Sequence, residues 1–84
     1  MELKLIYVIK DGKTIESFKD VRHYEIFTLG VVNNEDKLKI KQYLNDKVHM
    51  LNVRCCETNL HNWLIYLSGY LRKYHMITQV LWEL

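Results

Sequence analysis

The sequence predicts an α+β fold: a two-layer α/β sandwich in which a mixed sheet of about five strands carries two helices on one face. Three observations lead there. Thr58–Tyr74 places Leu60, Trp63, Leu64, Leu67, Leu71 and Tyr74 at three- and four-residue steps, one stripe of a helix turning 3.6 residues at a time. Asp11-Gly12 separates two strand-like runs and is a preferred two-residue hairpin turn, because both central positions need positive φ. The other apolar runs are short and rich in β-branched and aromatic residues, as strands are.

Taken in order, Glu2–Lys10 reads as a strand, with Leu3, Leu5, Tyr7 and Ile9 on one face and Lys4, Ile6, Val8 and Lys10 on the other. Lys13–Lys19 returns alongside it. A simple two-residue turn sets Leu5 opposite Phe18 and Val8 opposite Ile15, so apolar pairs form on both faces. The Leu5–Phe18 face is the expected core; the Ile6–Val8–Ile15 face, flanked by lysines, is expected to be half exposed. After a link at 20–22, His23–Val32 reads as a third strand, with Gly30 at a bulge or bend.

Asn33-Asn34-Glu35-Asp36 marks a helix start running to about Asp46, with an Asn cap and acids at the positive end. Its apolar stripe is Ile40, Tyr43 and Leu44, with Leu38 to one side. Lys47–Cys56 alternates as a strand does, a continued helix being the competing assignment. In the long helix, Thr58 stands where a hydroxyl caps the first turn, and Arg72 and Lys73 suit the exposed carbonyls of the last. Ile77–Leu84 is a closing strand, expected inside the sheet, where its loss would unfold the protein. The order is strand, strand, strand, helix, strand, helix, strand in a single domain covering 1–84, with right-handed crossovers where strands run parallel.

Composition narrows the function classes. Eighty-four residues with a 49% hydrophobic fraction, no Pro and three Gly suit an ordered fold with short connections. A net charge of +2 and a pI near 8.5 are too mild to imply nucleic acid by themselves. The longest uncharged run, Thr58–Leu71, is too short and too polar for a membrane span. Glu2, Lys4 and Lys10 interrupt the amino-terminal apolar run, unlike a signal peptide. Adjacent Cys55 and Cys56 are poorly placed for an unstrained disulfide. The expected setting is therefore reducing and cytoplasmic, in the protein's own cell or an infected host cell, with no membrane.

Four chemistries have candidate residues in the sequence. Cys55-Cys56 precedes a helix start, where a thiolate is favoured, and His61 is near in sequence; this is the pattern of a thiol-dependent enzyme or redox protein, against buried packing for Cys55 and a bystander role for Cys56. A metal site from Cys55, Cys56, His49 and His61 fits no zinc spacing. Asp20, Glu25, Asp36 and Glu57 lie near element ends without a spacing that pairs them, and there is no Gly-rich phosphate loop. Lys37, Lys39 and Lys41 offer a nucleic-acid-binding alternative, diluted by Glu35, Asp36 and Asp46.

A second stripe on the long helix points elsewhere. Asn59, Asn62, Tyr66, Tyr70 and Lys73 flank the Leu stripe, Tyr70 bordering the core and Tyr66 facing further out, while Ile65 points away from it. Interfaces are enriched in Tyr, which brings contact area with little rotamer entropy to lose. The competing reading has a neighbouring segment covering these residues. The expectation is a non-enzymatic protein-binding module with no catalytic residues, no metal and no cofactor. It uses Ile65, Tyr66, Tyr70 and Lys73 against a larger protein, which it blocks by occlusion, or against a second copy of itself. Inhibitors carried by phages and mobile elements share this profile.

Overall fold

The computed structural model describes residues 2–48 and 57–83. Among these, the chain forms β1 (Glu2–Lys10), β2 (Lys13–Phe18), α1 (Val21–Val31), α2 (Asn34–Val48), α3 (Glu57–Arg72) and β3 (Met76–Glu83). The strands make one antiparallel sheet in the order β2-β1-β3. The Cα atoms span 37 × 37 × 16 Å, the flat shape of one sheet under one helical layer. The α+β class agrees with expectation. Among the described residues the sheet has three antiparallel strands rather than about five in a mixed arrangement, and there are three helices rather than two.

The largest difference is His23–Val32, which is helix α1 and not a strand. Its buried residues, Val21, Tyr24, Glu25 and Thr28, recur at helical spacing. Asp20 is the N-cap: its Oδ1 accepts the His23 N–H at 2.9 Å, and its carboxyl is held below the usual range chiefly by that bond. Thr28, a poor helix former by propensity, donates its hydroxyl to the Tyr24 carbonyl at 2.9 Å, so its polar atom is satisfied inside the helix. Tertiary burial here outweighs the β preference of a run of β-branched and aromatic residues.

The hairpin turn is as expected, with Asp11 at φ 53° and Gly12 at 76°. The register beyond it is not. Lys10 faces Lys13 and Ile9 faces Thr14, but the pairing then shifts, so Val8 faces Glu16 and Ile6 faces Phe18. Ile15 is the extra residue, a bulge. A second shift, at Lys4 in β1, lets Leu3 face Trp82 while Leu5 faces Leu81. A one-residue slip sends side chains to the opposite face. The core therefore lies on the Ile6–Val8 face, both residues fully buried, and Leu5, Tyr7 and Ile9 turn away from the helices. The expected Leu5–Phe18 and Val8–Ile15 pairs do not form.

The helix α2 starts as read, with Asn33 Oδ1 accepting the Asp36 N–H at 2.8 Å. It continues through Lys47 and Val48, so the strand expected from Lys47 does not begin there; the rest of that assignment, with His49, Cys55 and Cys56, lies outside the described residues. Ile40 is buried, Tyr43 and Leu44 are half-buried, and Leu38 is 68% exposed. In α3 the stripe is confirmed: Trp63, Leu64, Leu67 and Leu71 are buried, with Leu60 and Tyr74 packed at its ends. The helix begins at Glu57, so Thr58 lies within its first turn rather than ahead of it, and Lys73 falls just past its end.

The closing strand, expected inside the sheet, pairs only with β1 among the described residues and stands at the edge of their sheet, with β1 in the centre. Tyr24 ties the layers together, its hydroxyl 2.7 Å from Thr78 Oγ1 on β3. Tyr74 holds the α1–α2 corner, its hydroxyl accepting the Asn33 N–H at 2.8 Å.

Candidate interaction surface

The outer side of α3 presents Ile65, Tyr66, Gly69, Tyr70 and Lys73 around one shallow groove of about 410 Å³. All four residues expected on a protein-binding surface are among its five lining residues. Helical spacing explains this: positions 66, 70 and 73 follow one another by three and four, and Ile65 and Gly69 run alongside. Ile65 is 55% exposed, as its position off the Leu stripe implied.

The tyrosines are less free than the sequence implied. Tyr66 is half-buried and stacks on Tyr43 of α2 with ring centroids 4.0 Å apart and planes 13° from parallel. Tyr43 in turn stacks on buried Trp63 at 5.3 Å and 10°. Trp63 donates its indole N–H to Glu25 Oε2 at 3.3 Å, linking the ladder to α1. Tyr70 meets Tyr66 edge-on at 5.2 Å, and their hydroxyls lie 2.9 Å apart. Removal from water, then the neighbouring Tyr70, raise the Tyr66 phenol well above its ordinary value, so it stays protonated in any ordinary buffer. A covering helix, α2, thus accounts for part of the tyrosine stripe.

What remains is a rigid aromatic ridge with a groove on each side. A second hollow of about 270 Å³ lies toward α2, lined by Lys39, Gln42, Tyr43, Asp46, Tyr66 and Tyr70. Lys73 closes one end of the first groove. Its Nζ sits 5.1 Å from the Tyr70 ring centroid and 3.4 Å from both carboxylate oxygens of buried Asp36. Its ammonium thus has partners within the molecule, on the Tyr70 ring and on Asp36, while more than half of the side chain stays exposed.

Gly69 forms the groove floor. No heavy atom beyond its immediate surroundings lies within 4 Å of where its Cβ would stand. Gly69→Ala is therefore expected to stabilise the fold by about 0.5–1 kcal/mol, the ordinary gain for an open helix-interior position. Urea denaturation checks this; a lower midpoint for Gly69→Ala would show that the position is already crowded.

The three alternative lysines all lie on α2, with Lys37 and Lys41 one turn apart on the same side. Lys37 is half-buried, Lys39 lies 3.5 Å from Glu35, and Lys41 is exposed one turn beyond Lys37. Of the described histidines, His23 contacts Asp20, His61 lies near Trp82, and His75 is exposed in the turn before β3. Among the described residues no three His, Cys, Asp or Glu side chains come together as a metal site, and no helix is long and apolar enough to cross a membrane. The residues sequence reasoning missed are Tyr43 and Gly69. Tyr43 was placed on the core stripe of α2, and only the packing of α2 against α3 brings it to the ridge.

The chain matches no protein-family model, and searches of curated proteins and of solved structures gave no match to it.

Proposed function

We propose that this protein is a non-enzymatic binding module that seats part of a larger protein on the outer face of α3 and acts by covering that surface. The observation that supports this is the convergence of Ile65, Tyr66, Tyr70 and Lys73 on one groove beside a stacked aromatic ridge. A ridge already held by stacking and hydroxyl contacts loses little side-chain freedom on binding, which favours affinity. Lys73 supplies the groove's only charged lining residue and is paired with Asp36, so the matching surface is mainly apolar or aromatic.

The test is retention of a partner from lysate in high salt after nuclease treatment, comparing the wild type with Gly69→Arg. Arginine is a good helix former, and its side chain fills the groove without touching the core. It is a cleaner probe than Tyr66→Ala, which also dismantles the stack on Tyr43. The expected result is one stoichiometric protein held by the wild type and lost by Gly69→Arg, with unchanged circular dichroism. Equal retention by both would remove the α3 groove as the binding surface.

A further inference from the structure

The two edges of the sheet are built differently. The β2 edge carries Lys13 and Glu16 and is interrupted by the Ile15 bulge, devices that discourage strand addition. The β3 edge, MITQVLWE, has no Lys, no Pro and no Gly, and its ladder to β1 runs unbroken from Leu81 to Met76. Its outer side meets no strand among the described residues. Ile77 and Leu81, on the face away from the helices, are 55% and 41% exposed. On the helical face a hollow of about 250 Å³ lies between α3 and β3, with Leu64, Ile65, Val80 and Trp82 in its wall and no residue of β1. Among the described residues it therefore opens at the edge that no strand covers.

We infer that β3 is the seam of a two-fold dimer, pairing antiparallel with β3 of a second copy about Gln79 and joining two three-stranded sheets into one of six. The strand is self-complementary in this register. Ile77 faces Leu81 of the second copy, Thr78 faces Val80, and Met76 faces Trp82, each pair lying on a single face of the sheet. At the two ends His75 faces Glu83, a ring N–H against a carboxylate. Centring the pair on Val80 instead sets Ile77 against Glu83, and centring it on Thr78 sets Leu81 against His75. The Gln79 register sets Ile77 against Leu81, Met76 against Trp82 and the threonine methyl against Val80, and it leaves no apolar side chain opposite a charged one.

Like parity across the seam keeps both helical layers on the same side, so the two α3–β3 hollows face each other and Ile65 gains apolar cover. The strip is about 27 Å long and two layers deep, on the order of 600 Å² from each copy, at the lower end for specific interfaces. A reversible dimer follows. This surface shares Ile65 with the groove floored by Gly69, but Gly69 itself does not line the α3–β3 hollow, so Gly69→Arg is expected to leave the dimer intact.

The experiment is sedimentation equilibrium of the full chain under reducing conditions from micromolar to millimolar concentration. The wild type is expected to approach twice the 10.2 kDa of one chain. The double variant I77K/L81K sets lysine against lysine at two positions and is expected to weaken association about a hundredfold. Both side chains are already exposed in the single chain, so the monomer's melting temperature should hold; Gln79→Lys, which puts two lysines on the axis, serves if the double variant does not fold. Mixing I77K/L81K with I77E/L81E should restore a mixed dimer, lost again at high salt. A wild type that stays at one chain's mass at millimolar concentration overturns the inference and leaves the edge to a strand of another protein. So does an I77K/L81K variant that dimerises like the wild type, or an oppositely charged mixture that does not associate.

Discussion

Trp63→Ala is expected to cost about 3–5 kcal/mol, the range for removing a fully buried large aromatic. An 84-residue domain holds only about 4–13 kcal/mol in all, so this one side chain accounts for about a quarter of the fold's stability at the least and all of it at the most. The size of the effect follows from what the indole joins. Its ring supports Tyr43, which in turn supports Tyr66, and its N–H reaches Glu25 on α1. Removing it opens a cavity among three helices and takes a donor from a buried carboxylate. Trp63→Phe keeps an aromatic face but loses the N–H, and should fall between the two. Urea midpoints followed by far-ultraviolet circular dichroism measure both. A Trp63→Ala protein melting within a few degrees of the wild type would mean that the ladder is not the centre of the core.

The fold should also fail in alkali, through Tyr24. Burial pushes its phenol from 10.0 up to about 12, against the opposing pull of hydrogen bonds to Thr78 and Thr28. Below pH 10 the phenol is protonated in both the folded and the unfolded chain, so this group makes stability independent of pH. Between about pH 10 and 12 the unfolded chain loses the proton and the folded one keeps it. Stability then falls as pH rises, by up to about 1.4 kcal/mol per unit, for a total of about 2–3 kcal/mol by pH 12. Tyr66 shifts in the same direction and adds to the loss.

Tyr24→Phe isolates the effect. At neutral pH it should be less stable than the wild type by about 1 kcal/mol, the value of the hydroxyl's contact with Thr78. By pH 12 the order should invert, because phenylalanine has nothing to titrate. Denaturation midpoints for both proteins across pH 8–12 decide it; parallel curves would show that Tyr24 does not carry the alkaline transition.

Local signals were legible wherever a single period dominated. The α3 stripe, the Asp11-Gly12 turn, the Asn33 cap and the outward position of Ile65 all follow from residues within one or two turns of one another. The candidate surface was legible for the same reason: residues 65, 66, 70 and 73 share a side of one helix whatever else the chain does.

What the sequence by itself determined is therefore the hairpin, two of the helices and the residues along their faces, because adjacent residues set φ, caps and periodicity. Only the tertiary structure decided that 21–31 is a helix. Its apolar residues satisfy both two-residue and three-to-four-residue spacing, and burial of Tyr24 and Thr28 against the sheet and α3 selects one. The tertiary structure also decided which face of the hairpin is inside. Bulges at Ile15 and Lys4 each slip the pairing by one residue, and a slip of one exchanges core and surface without altering the local sequence pattern. It decided, finally, that β3 stands at an edge of the sheet that the described residues form and that Tyr66 is propped by Tyr43. Both depend on pairing between segments far apart in the chain, which local spacing does not encode.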